Sequence, residues 1–276
     1  MSEEYSLKDS LKKLLEDISM PSQVTDAVLL CFENPCDEAN ASIPGLKALT
    51  EHLVTSVKSR ENGPWQRFPE DIFISTMGCF SRFVLEHFVS YGYYGFDRDF
   101  WTTRQAGALL FRIGELEYEI LEGDDKNISL HIPSDADMKP EPLNRSLDLA
   151  KAFFQEYFPG KENSSIHCES WLLSPKLKSL LKEDSNIIRF QNAFNIEKEY
   201  PDSMDFLEWL FNIAGGQRDS VVLAELPEKT SLQRSAKKLL LEGGCIGSAE
   251  GILARQFSSS SCTYSCPASE RPEQRR

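Results

Sequence analysis

Only four histidines stand in the 276 residues, and no run of apolar residues reaches the roughly 18 that a helical membrane span needs. A basic stripe interleaved with aromatics is also missing, and the formal net charge is −13. Such a surface repels phosphate backbones, so neither nucleic acid nor a membrane is an expected partner. The seven cysteines (31, 36, 79, 168, 245, 262 and 266) form no two pairs at zinc-ribbon spacing. With so few histidines beside them, no metal is expected, and reduced, mostly buried thiols are the expected state. No internal repeat is present. The opening, "MSEEYSLKDSLKKLLED", is a charged amphipathic helix without a secretory leader's basic and apolar regions, so a cytoplasmic location is expected.

What is present is a globular composition, 41% hydrophobic and 26% charged, with material for one large core or two modest ones. Leu7, Leu11, Leu14, Leu15 and Ile18 repeat with helical period. A second helix lies in 20–35 and a third in 43–63, closed by Asn62-Gly63-Pro64. Residues 69–95 make a long fourth helix, apolar on more than one side and therefore expected to be buried. The character changes after residue 108. Strand-like runs at 109–121 and 127–132, joined by Gly-Asp-Asp-Lys-Asn, predict a β-hairpin. Helices and short strands then alternate: a helix at 143–158, a strand near 166–173, a helix opened by Ser174-Pro175, a strand from Asn186 to Tyr200, and helices near 203–211 and 231–244.

The expected class is therefore α+β: a mainly helical part over 1–108 and a mixed-sheet part over 109–254. Residues 255–276, rich in Ser, Pro, Glu and Arg, read as a disordered tail.

Five blocks occur in order: "FRIGELEYEI", "SLHIP", "SLDLAKAFFQEYFP", "CESWLLSPKLKSLL" and "DSNIIRFQNAFNI". Together they resemble the two-domain bacterial acyltransferase family, with a helical N-terminal domain and a GNAT-like C-terminal domain. The resemblance covers roughly residues 5–254. It implies a GNAT-type mixed sheet, an acyl-CoA co-substrate and transfer of the acyl group to an amine-type small-molecule acceptor. One departure stands out. Ordinary GNAT enzymes hold the CoA pyrophosphate on a Gln/Arg-x-x-Gly-x-Gly/Ala loop opening a helix, whereas "SDADMKPEPLNR" fills that place here. The alternative expectation is a catalytically silent GNAT-like module that binds a small molecule or a protein.

His131 is the leading candidate acid/base, since it ends a strand where loops build pockets. It could equally fix the loop by bonding a backbone carbonyl. Glu117 and Glu119 share one strand face, with Glu115 expected beside them. They are either a solvated sheet surface or assistants to His131. Cys168 has His167 next to it, but adjacent strand residues face opposite ways, which argues against a thiol–imidazole pair. Ser170, Ser185 and Asn186 are candidate contacts to the thioester or pantetheine, with Asn186 placed at a strand start; turn and strand hydrogen bonds are the plainer reading. Trp171, Leu172 and Leu173 read as core or pocket wall. The stretch 88–101 carries seven aromatics and reads as interdomain packing or as the wall of an acceptor pocket. The Gly-rich stretches at 214–216 and 242–251 read as turns or helix caps.

Overall fold

A computed structural model describes residues 2–34, 41, 43–121, 123, 127–161 and 163–257. The first four helices follow from their apolar periodicity, α1 (Ser2–Asp17), α2 (Ser22–Glu33), α3 (Leu46–Asn62) and α4 (Glu70–Tyr91), whereas α5 (Asp99–Ala106) buries Thr102, Gln105 and Ala106. Leu11, Leu14 and Leu15 face inward from α1, as does Ile18 just after it. By length and composition α4 could cross a membrane, but most of that stretch is buried in the protein. Pro64 opens a short 3-10 turn that delivers Trp65 into the centre, where its indole N–H donates to the Gln105 carbonyl. Trp65 meets Phe68, Phe73 and Phe111 edge-on at 5.3–5.4 Å, which ties the helices to the first strand. One core cluster accordingly runs from Leu11 to Phe257, through helices and sheet alike.

Six strands form one mixed sheet in the order β1-β2-β3-β4-β6-β5: β1 (Leu110–Ile113), β2 (Leu116–Ile120), β3 (Asn127–His131), β4 (Ser165–Ser170), β5 (Phe194–Tyr200) and β6 (Ser248–Leu253). The run 109–121 is two strands rather than one. It folds back at Gly114-Glu115, with Ile113 opposite Leu116 and Gly114 at φ +64, as a two-residue hairpin with glycine first requires. Glu115, the second turn residue, accepts from the Asp137 backbone N–H at 2.9 Å. β2 and β3 form the expected antiparallel hairpin, whose Asp124-Asp125-Lys126 joint lies outside the described residues.

β3 runs through α6 (Pro140–Tyr157) into β4, and these two strands are parallel. Their pairing covers only Asn127↔Ser165, Ile128↔Ile166 and Ser129↔His167. Both strands continue beyond it, to His131 and to Ser170, and they part. On its other side β4 pairs with β6.

Two further elements differ from expectation. Residues 186–191 are a helix, α7 (Asn186–Gln191), because the Ser185 hydroxyl accepts from the Ile188 N–H as an N-cap. The strand begins only at Phe194. The glycine-rich 248–253 segment is a central strand; a Cβ on Gly251 would stand 2.8 Å from the Asn195 carbonyl oxygen, so a neighbouring strand can lie close there. Beyond β5, α8 (Phe206–Phe211) and α9 (Ser231–Leu241) gather Leu177, Leu226 and Ile246 into a second, smaller core. Order also extends past residue 254. Phe257, 3% exposed, stacks on Phe190 at 5.3 Å, and Asn144 hydrogen-bonds its backbone on both sides. Residues 258–276 of the expected tail, with Cys262 and Cys266, lie outside the described residues, as does Cys36. Cys79, Cys168 and Cys245 are free thiols, whereas Cys31 is disulfide-bonded rather than reduced.

Candidate functional site

Where β3 and β4 part, a cleft of about 650 Å³ opens. His131 to Ser134 wall it on the β3 side and Glu169 to Leu172 on the β4 side. α4 and α5 close it with Arg82, Glu86 and Trp101, and the α8 region with Glu208 and Trp209. A crevice at the carboxyl ends of diverging parallel strands is where open α/β sheets hold ligands.

His131 lies opposite Glu117 in the register but bonds its diagonal neighbour: its Nε2 is 2.8 Å from Glu119 Oε2. Glu119 Oε1 accepts from Arg104 Nε at 2.8 Å. Burial pushes the Glu119 carboxyl up, but the hydrogen bonds and charges of His131 and Arg104 outweigh it and hold it below the usual glutamate range. An ionised carboxylate only accepts, so His131 donates from Nε2, and in the neutral imidazole this leaves the lone pair at Nδ1. Trp101 fixes the ring edge-on at 4.9 Å and itself lies under the Arg104 guanidinium at 4.3 Å.

Glu117 is only 2% exposed, and its carboxylate accepts from Arg82 Nη2 at 2.8 Å. It holds an arginine and is no free base. Arg82, whose side chain is 9% exposed, also stands 3.6 Å from Glu86 and 3.7 Å from Asp135. The acidic loop after His131 is thus spoken for. Ser134 donates to Glu86, Asp135 accepts from Arg112 at 2.7 Å, and Asp137 takes both the backbone N–H and the ammonium of Lys139. α6 starts on Lys139-Pro140-Glu141, with an acid in its first turn, so this helix end is not a phosphate cradle of the glycine-loop kind.

Ser170 lines the cleft, and its hydroxyl accepts from the Leu172 N–H at 3.1 Å. Ser185 and Asn186 line neither cleft; they cap and open α7. Cys168 is buried, and burial pushes its thiol up to about 12, the setting of an inert core thiol. From the aromatic stretch, Trp101 and Phe100 reach the large cleft, Tyr91 lines a second one, and Phe96 is core.

That second cleft, about 480 Å³, adjoins the first. The shared wall is Arg82, Glu86, Arg98, Ser134, Glu208 and Trp209. Arg98 is ion-paired with Glu208 there. Most of these residues escape a reading of the sequence alone. One signal was available: Arg82 and Glu86, four apart, are the only charged side chains between Ile72 and Tyr91 in α4. Charges inside a buried apolar helix need partners or a task. Among the described residues, no group of His, Cys, Asp or Glu is placed to hold a metal ion.

Comparison with protein-family models matches residues 110–253 to the GNAT-like C-terminal domain and residues 66–107 to the N-acyltransferase N-terminal domain. Sequence comparison with curated proteins finds no match. Among solved structures, an acyltransferase in complex with decanoyl-CoA and teicoplanin is similar, with a TM-score of 0.74 at 21% identity over 90% of this chain and 88% of that one. A tryptophan-to-alanine acyltransferase variant with octanoyl-CoA gives 0.75 at 21% identity, over 91% and 88%. At this identity the likeness establishes the fold.

Proposed function

The chain belongs to the family with a GNAT-like C-terminal domain, here behind an N-acyltransferase N-terminal segment, and from that premise we propose that it transfers an acyl group from acyl-CoA to an amine on a small-molecule acceptor. The observation that carries this reading is the parting of β3 from β4 after Ser129↔His167, with His131 on the wall of the cleft it opens. The similar structures hold decanoyl-CoA and octanoyl-CoA, acyl thioesters with long, apolar tails. An acyl pantetheine chain entering the parting would bring its thioester beside His131.

In this reading His131 is the acid/base. Glu119 orients it by accepting from Nε2, so that the Nδ1 lone pair takes a proton from the attacking nitrogen and returns it to the leaving sulfur. Glu117 acts at one remove by holding Arg82. Ser170, at the cleft edge, is the cofactor contact supported best. Ser185 and Asn186 act through the helix they start.

The opening of α6 on Lys139-Pro140-Glu141 favours a second reading, a binding module that holds no CoA diphosphate. Calorimetry with decanoyl-CoA, acetyl-CoA and free CoA separates the two. Saturable binding of decanoyl-CoA is expected. Absence of heat with every thioester at millimolar concentration sinks the transferase reading.

A further inference from the structure

Two carboxylates near His131 are engaged, Glu117 by Arg82 and Glu119 by Arg104 and His131. Glu208, on the shared wall, is engaged by Arg98 and lies 3.7 Å from Arg218. Glu86 differs. Its Oε1 accepts from the Ser134 hydroxyl, three residues after His131, while its Oε2 is buried with no hydrogen-bond partner. No other carboxylate oxygen among the described residues is left so. Such an atom carries an uncompensated desolvation penalty until a donor reaches it.

Glu86 also faces both clefts. The smaller one sets four carboxylates (Glu86, Asp97, Asp135, Glu208) against two guanidiniums (Arg82, Arg98), with Tyr91 and Trp209 in its wall. Acids and ring faces together suit a cation.

We infer that the smaller cleft admits the acceptor as an ammonium and that Glu86 receives its first proton. This rests on the acyl-transfer reading above. The ammonium N–H donates to Glu86 Oε2 and passes its proton there, leaving a neutral amine at the junction of the clefts. The amine nitrogen forms its bond to the thioester carbon, its second proton moves to His131 Nδ1, and the C–S bond breaks with its electron pair on sulfur. His131 returns that proton to the thiolate, and Glu86 sheds its own to solvent. The products are amide, thiol and one released proton. Burial, outweighing the Ser134 hydrogen bond and the Arg82 charge, holds the Glu86 carboxyl above the usual glutamate range, which makes it the stronger base.

The test compares two nucleophiles with decanoyl-CoA as donor: hexylamine, an ammonium at neutral pH, and hydroxylamine, already neutral there. Glu86→Gln is expected to bind decanoyl-CoA as the unaltered chain does, by calorimetry. Its kcat/KM for hexylamine is expected to fall by about 100-fold or more, with less than about a 10-fold fall for hydroxylamine, and Glu86→Asp to recover part of the loss. Equal losses for both nucleophiles, no loss, or no transfer to hexylamine by a chain that binds decanoyl-CoA would overturn the inference. Failure to bind decanoyl-CoA at all would instead overturn the reading beneath it.

Discussion

Glu119 meets His131 across a diagonal of the β2–β3 ladder, Oε2 to Nε2 at 2.8 Å, while the residue directly opposite His131, Glu117, turns to Arg82 instead. Two glutamates on one strand face therefore have different tasks, set by which arginine each one meets.

If Glu119 works by holding the imidazole, its loss is felt only through His131. His131→Ala is expected to lower kcat for decanoyl transfer by about 100-fold or more, and Glu119→Gln by less. The double variant is expected to be no slower than His131→Ala alone, because residues acting as a unit are non-additive. Thiol release in single-turnover experiments reads all three. Unchanged turnover in His131→Ala removes the histidine from the mechanism.

Arg82 tests structure rather than chemistry. Arg82→Met leaves Glu117 buried and unpaired, and removal of one partner from such a pair costs about 3–5 kcal/mol. Adding Glu117→Gln is expected to restore much of that stability. Urea denaturation midpoints decide it, and equal midpoints for the two variants would show that the pair is not coupled.

The pH dependence of folding carries opposite signs at two glutamates. Glu119 sits below its ordinary range in the fold, so its contribution is present above that range and is lost as pH falls through the lowered value. Glu86 sits above its range, so its contribution is present at low pH and is lost as pH rises through the raised value. Glu119→Gln is expected to flatten the acid limb of a stability–pH curve, and Glu86→Gln the limb just above it. Thermal midpoints collected from acid to neutral pH check both.

Phe257 anchors the chain just beyond the last strand. Phe257→Ala, which removes the ring stacked on Phe190, is expected to cost about 3–5 kcal/mol, measurable by chemical denaturation. A loss below about 1 kcal/mol would mean that the ring's burial is incidental.

Much of the fold was legible because its signals are local. The 3.6-residue period marked α1 to α4, and the hairpin of β2 and β3 came from alternating runs around a glycine. Elsewhere a local signal was overridden. Gly114 turned one long run into two strands. Ser185 capped a helix where Ile187 and Ile188 suggested β-structure. β6, built on Ser248, Ala249 and Gly251, has too little side chain to announce a strand; it is one because β4 and β5 flank it. That His131, Glu117 and Glu119 are neighbours was legible because they stand close together along the chain. Arg82, Glu86, Trp101 and Arg104 arrive from other helices, and only tertiary structure brings them to the same cleft.

The core that runs unbroken from Leu11 to Phe257 has a consequence for anyone wishing to use this fold in pieces. A fragment trimmed to 110–253 would keep the sheet and its parting but neither Arg82 nor Arg104, which orient its glutamates, nor the tryptophan that steadies its imidazole. It would also present to water the apolar surface that Trp65, Phe73 and Phe80 now cover. Such a fragment is expected to aggregate before it can be assayed, so the smallest portable unit of this fold includes the helices.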